Sequence, residues 1–127
     1  MRRGPDADRR ADRAQVPLLD AVGSFVRMIQ AILAPERLAA VTALLADAEI
    51  FRMTVSEVHG VSDMQGVAFS ELSPEPMVRI EVGVNEGFVD AAIRAIEEGG
   101  GDRGRIFTWE LHDVIRIRTG ETGPEAI

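Results

Sequence analysis

Apolar and polar positions alternate along Phe25-Val26-Arg27-Met28-Ile29-Gln30-Ala31-Ile32-Leu33. That is the period of two that sends successive side chains to opposite faces of a strand. Pro35 then stands at the favoured first position of a helix, with Glu36 beside its positive end. Leu38, Val41, Thr42, Leu44, Leu45 and Ala48 follow at helical spacing on one face. Alternation returns from Phe51 to Val58, with Phe51, Met53 and Val55 on one side. Residues 60–76 are interrupted by Gly60, Gly66, Pro74 and Pro76 and predict an exposed connection. The clearest strand is Met77 to Val84, after which Asn85 predicts the cap of a second helix carrying Phe88, Val89, Ala92, Ile93 and Ile96. Gly99-Gly100-Gly101 predicts its end, and Arg105–Trp109 and Val114–Arg118 predict closing strands.

Two βαβ-like halves in this order predict an α+β fold, a ferredoxin-like βαββαβ sandwich with both helices on one face of an antiparallel sheet. The other face is predicted to carry Phe51, Met53, Ile80 and Val82 with nothing in the chain to cover it, so self-association with closed symmetry is expected. The folded domain is predicted over residues 25–127. Residues 1–24 repeat Arg, Asp and Ala without an apolar face and predict a disordered or loosely structured N-terminal arm. A wrongly chosen start codon and a short partner-binding segment around Pro17-Leu18-Leu19 are alternative accounts of it.

Composition narrows the chemistry. The chain has no cysteine, which excludes disulfides, thiolate catalysis and Cys-ligated zinc and agrees with a reducing compartment. A net charge of −7 disfavours general nucleic-acid binding. No apolar run approaches the ~20 residues that span a bilayer, and the N-terminus lacks a secretory pattern, so a cytoplasmic protein without direct membrane insertion is expected. All 14 basic residues are arginines, whose planar fork suits phosphate and carboxylate. His59 and His112 are too few for a metal site, and Glu97-Glu98 do not share a helix face, so neither a metal centre nor an acid/base pair is expected.

Two segments remain. In Gly99-Gly100-Gly101-Asp102-Arg103-Gly104-Arg105 the glycines allow close approach of backbone N–H groups to an anion, and Arg103 and Arg105 add charge. It can equally be a flexible helix exit. Arg116 and Arg118 stand two apart on a predicted strand, so both would leave one face, as a phosphate clamp or as a solvated edge.

The run Val114-Ile-Arg-Ile-Arg-Thr-Gly-Glu-Thr-Gly-Pro-Glu-Ala-Ile127 resembles the C-terminus of the PII nitrogen-regulatory signalling family. The likeness extends to Gly104-Arg105-Ile106-Phe107, to Met53–Gly60 and to Ile29–Pro35. The resemblance implies a homotrimer that is a regulator and not an enzyme, holding ATP or ADP, with AMP a further candidate, in clefts between subunits. It implies nucleotide contacts at Ile32, Met53, Thr54, Gly60, Glu81, Gly101, Asp102, Arg103, Gly104 and Arg105, with Arg116 and Arg118 reaching the phosphates from the adjacent subunit. It also implies that the 60–76 loop controls a protein partner, such as a transporter or enzyme, in nitrogen or carbon metabolism. Slow nucleotide hydrolysis and a ligand-free scaffold are the rival functions.

Departures are specific. Arg103 stands in or beside the place of the family's phosphate-loop aspartate, and the 60–76 loop is short. The chain contains no tyrosine, which removes uridylylation of one. Gln65 is an off-register candidate for the effector glutamine, with Met64 beside it, and Met77 replaces the effector lysine, leaving Arg79 as the nearest cation. These changes count against 2-oxoglutarate and leave bicarbonate as a candidate second effector.

Overall fold

In the computed structural model, residues 25–61, 64–66, 68 and 73–127 are described. The N-terminal arm expected for residues 1–24 lies outside them. The elements are β1 (Val26–Leu33), α1 (Leu38–Asp47), β2 (Thr54–Gly60), β3 (Glu75–Asn85), α2 (Val89–Gly100) and β4 (Arg105–Glu110), with 3-10 turns at Pro35–Arg37, Glu86–Phe88 and Gly123–Ala126. The sheet runs β2-β3-β1-β4 and every pairing is antiparallel, which is the ferredoxin-like βαββαβ order.

Register decides which residues form the core. Across the sheet, Ala31 pairs with Ile80 and Ile106, Ile29 with Val82, and Leu33 with Val78, and partners on adjacent strands share a face. This is the face that α1 and α2 cover through Val41, Leu45, Ala92, Ala95 and Ile96. Each fully buried aliphatic here contributes about 1.5–3 kcal/mol of transfer free energy. Ile80 and Val82, expected on the open face, are therefore core residues at 0% and 1% exposure.

The opposite face is also partly apolar, through different residues. One row across it reads Gly83, Met28, Trp109; the next reads Thr54, Glu81, Gln30, Phe107; the third reads Ser56, Arg79, Ile32, Arg105. Phe107 and Trp109 are 48% and 41% exposed. Neither helix covers this face.

Local differences have physical reasons. Strand β2 starts at Thr54, and Phe51, ahead of it, is exposed. Asn85 is at the cap position, but its side chain makes no cap bond; the Glu86 N–H donates to the Phe25 carbonyl instead. Helix α2 continues through Gly99 and Gly100, both buried, because a side chain at Gly99 would meet the Val41 backbone at 3.0 Å. Glycine at 99 thus permits close helix packing, and termination waits for Gly101. The segment Val114–Arg118 is not a strand. It enters a tight turn in which Gly120 N–H donates to Arg116 O and Arg116 N–H to Glu121 O, with one bridge pairing Ile115 and Thr122.

Candidate functional site

The sheet has a loop end and a tail end. At the loop end, α2 stops at Gly101, whose φ of +75° is reserved in practice for glycine. Three residues later Gly104 lies so close to β1 that a Cβ would fall 3.0 Å from the Ile32 carbonyl oxygen. The turn Gly101–Arg105 is therefore pressed onto the end of β1 by its composition. Asp102 and Arg103 are exposed on it, and Arg105 begins β4. The cavity beneath this turn, lined by Leu33, Glu97, Gly101, Gly104 and Arg105 among others, measures about 330 Å³, at the small end of the ~300–1,000 Å³ range of small-molecule sites.

On the open face, Arg79 and Arg105 flank Ile32, about 10 Å apart at ~4.8 Å per strand. The Arg79 side chain thus shares a face with Arg105, and its buried Nε has no hydrogen-bond partner. Among the described residues the Arg105 side chain has no hydrogen-bond or ion-pair partner, so its guanidinium is uncommitted. Gly60, the last residue of β2, pairs with Glu75, the first of β3, at this same end. Ile32 and Gly101 to Arg105 are accordingly brought together, with Arg79 adjoining, while Gly60 lies four residues beyond the Ile32 row and is joined to the turn through the bond between Glu75 and Arg103.

The middle of the sheet holds Thr54 and Glu81, directly paired and on the open face. Met53, also expected on the open face, is instead partly buried against the core. Gln65 sits in an exposed turn before Gly66.

Arg116 and Arg118 lie elsewhere. Arg116 lines a second cavity, about 350 Å³, with Phe51, Gly83, Asn85, Phe88 and Ile127, at the far end of β3. Arg105 is level with Arg79 of β3 through Ile32, and Gly83–Asn85 lie four to six residues further, about 13–20 Å at ~3.3 Å per residue. Within one chain these arginines do not converge with Arg105. Nor do they form the same-face pair that a strand would give. The Arg116 guanidinium turns onto the tail, with Nη2 donating to the Ile127 main-chain oxygen at 2.9 Å and Nε to Ala126 O at 3.5 Å. Arg118 is exposed on the turn and makes no bond among the described residues.

Two polar residues at the loop end were not anticipated. Arg37, closing the 3-10 turn after Pro35, packs under Gly101, its Nε 3.0 Å from where a Cβ would be. Glu75 accepts a hydrogen bond from Arg103 Nη2 at 2.9 Å. Both contacts join segments far apart in sequence, and no local pattern announces either.

Fold and site define an α+β sandwich with a glycine-lined, arginine-bearing loop at one end of an uncovered sheet face. A model of the family described as "Nitrogen regulatory protein P-II" matches residues 26–121. The chain belongs to the P-II nitrogen regulatory family. It is 40% identical over 114 residues to nitrogen regulatory protein GlnK1 of Methanosarcina mazei, covering 80% of this chain and 97% of that one. It is 37% identical over 112 residues to nitrogen regulatory protein P-II of Synechocystis, covering 80% and 100%. Among solved structures, the GlnK–ATP complex of B. subtilis superposes with a TM-score of 0.68 at 25% identity, covering 81% of this chain and 98% of that one. Arabidopsis thaliana PII bound to citrate gives 0.69 at 34% identity, covering 82% and 94%. Among the described residues no helix is long and apolar enough to cross a membrane.

Proposed function

We propose that this chain is a cytoplasmic homotrimeric sensor that takes ATP or ADP between subunits and reports occupancy to a protein partner through residues 60–76. The observation that carries this is the separation of its basic groups. The glycine turn with Arg105 is level with Arg79 of β3 and Arg116 with Gly83–Asn85, about 13–20 Å further along that strand at ~3.3 Å per residue. Arg116 is turned onto its own C-terminal tail, so a nucleotide seated on the glycine turn of one copy would take its second arginine from the next. A head-to-tail contact of that kind uses two different surfaces of each subunit, and a threefold rotation closes it as a ring rather than an open filament. The uncovered face with Met28, Phe107 and Trp109 gives such a ring its apolar interior.

The ligand class follows from the chemistry. A phosphate chain takes backbone N–H groups at a glycine turn and planar guanidinium forks, and both are present. The likeness to a GlnK–ATP complex favours adenine nucleotide. Residues Ile32, Met53, Thr54, Gly60, Glu81 and Gly101–Arg105 would form one wall. Arg116 and Arg118 of the next copy would form the other. Residues 25–127 constitute the working domain. The family's regulatory character supports a role in nitrogen control without catalysis, exerted on a partner such as a transporter or enzyme.

Calorimetric titration with ATP, ADP and AMP, alone and with 2-oxoglutarate or bicarbonate, tests the proposal. Micromolar binding is expected for at least one nucleotide. No binding at millimolar concentration rules the sensor out.

A further inference from the structure

Arg103 replaces the acidic residue that the resemblance leads one to expect in the phosphate turn, and its guanidinium does not face an empty turn. It bridges to Glu75 at 2.9 Å. Glu75 is no arbitrary loop residue. It is the first residue of β3 and pairs with Gly60, the last of β2, so the bridge ties the glycine turn to the last rung of the ladder that brackets residues 61–74.

The pair is exposed, with side chains 66% and 53% accessible. An ion pair so placed is weak and easily exchanged. Phosphate accepts from a guanidinium more strongly than an exposed carboxylate does, because it carries more charge and more acceptor oxygens. Resting on the nucleotide reading above, we infer that Glu75 and the nucleotide phosphates compete for Arg103, which makes the pair a switch at the base of the 60–76 loop. With the cleft empty, Arg103 holds Glu75 and pins the Gly60–Glu75 rung. With phosphate on the turn, Arg103 turns to it. Glu75 is then left untied beside added negative charge, and the rung loosens. By linkage, whatever holds the rung closed weakens nucleotide binding by the same factor.

The competition gives each residue a different signature. Glu75→Gln removes the competitor and is expected to tighten ATP binding about two- to fivefold, the range an exposed pair can supply. Arg103→Gln removes the shared cation and weakens ATP binding. In the Arg103→Gln background, Glu75→Gln adds nothing.

The test combines ATP titration of the full chain and these variants with amide hydrogen exchange at residues 58–60, 75 and 77. Without nucleotide, both single variants are expected to exchange faster than the parent at these amides, and 1 M NaCl should speed the parent alone. ATP should bring the parent to the variants' rate. If the parent binds ATP and its exchange at this rung is unmoved, or if Glu75→Gln leaves affinity unchanged, the switch is overturned and the sensor stands. If the parent binds no nucleotide, sensor and competition fall together, and nucleotide-free exchange then reports only whether the bridge holds the rung.

Discussion

The two ends of the sheet hold their arginines in different ways. At the loop end, the turn Gly101–Arg105 lies between a helix that is buried to Gly100 and a strand paired along β1, and the close approach of Gly104 to Ile32 leaves it little room. The Arg105 backbone is therefore placed by the same packing that makes the core. At the tail end, Arg116 is carried on a turn with a single bridge at Ile115–Thr122, and its guanidinium rests on main-chain oxygens of the last two residues. Ile117 there is 98% exposed. A residue whose backbone is fixed by a core has only its side chain left to order around a ligand. One carried on a turn can be redirected when a second surface arrives. In the proposed ring the first supplies the rigid wall and the second the adjustable one.

Stability should separate the ends most sharply. Ile80→Ala removes a fully buried side chain at the centre of the sheet and should cost about 2–5 kcal/mol in urea unfolding. Ile117→Ala should change stability by less than about 0.5 kcal/mol. A large loss at Ile117 would mean that the tail packs in the assembled protein, which would sharpen the account by placing that side chain at a subunit contact.

Next in size is Gly104→Val. Its side chain would press on the Ile32 carbonyl oxygen and the Leu33 side chain; overpacking of this kind costs about 1–3 kcal/mol. It should also weaken ATP binding, whereas Gly120→Ala, with open space around it, should leave the loop end untouched despite strain at a positive φ. Comparable loss of nucleotide affinity from both would break the distinction between a rigid and an adjustable wall.

Trp109→Arg puts charge onto the open face beside Met28. Sedimentation should then show dissociation of the assembly with the monomer still folded by circular dichroism. An unchanged assembly would mean that some other surface joins the subunits.

Much of the fold could be read along the chain because it rests on local periodicity. The alternation in Phe25–Leu33 and Met77–Val84 and the helical spacing from Leu38 to Ala48 each state one element. The face assignment failed at Ile80 and Val82 because alternation gives two faces without saying which one the helices cover; the register with Ala31 and Ile29 decides that. Val114–Arg118 has the composition of a strand, but its partner is eight residues or fewer away, in the turn ending at Thr122, and no sheet edge takes it up. Site residues at the loop end were legible as a glycine-arginine turn. Glu75 and Arg37 were not, since each gains its meaning only when β3 and the first 3-10 turn are folded against residues 101–103.

The central claim is that one nucleotide is held by Arg105 of one copy and Arg116 of another. Arg105→Ala and Arg116→Ala chains should each bind ATP weakly as pure assemblies. Unfolded together and refolded as mixed assemblies, they should regain sites of parental affinity, because a cleft that takes Arg105 from the Arg116→Ala chain and Arg116 from the Arg105→Ala chain is complete. Mixed particles shown by mass to contain both chains, yet binding only with variant affinity, would contradict it.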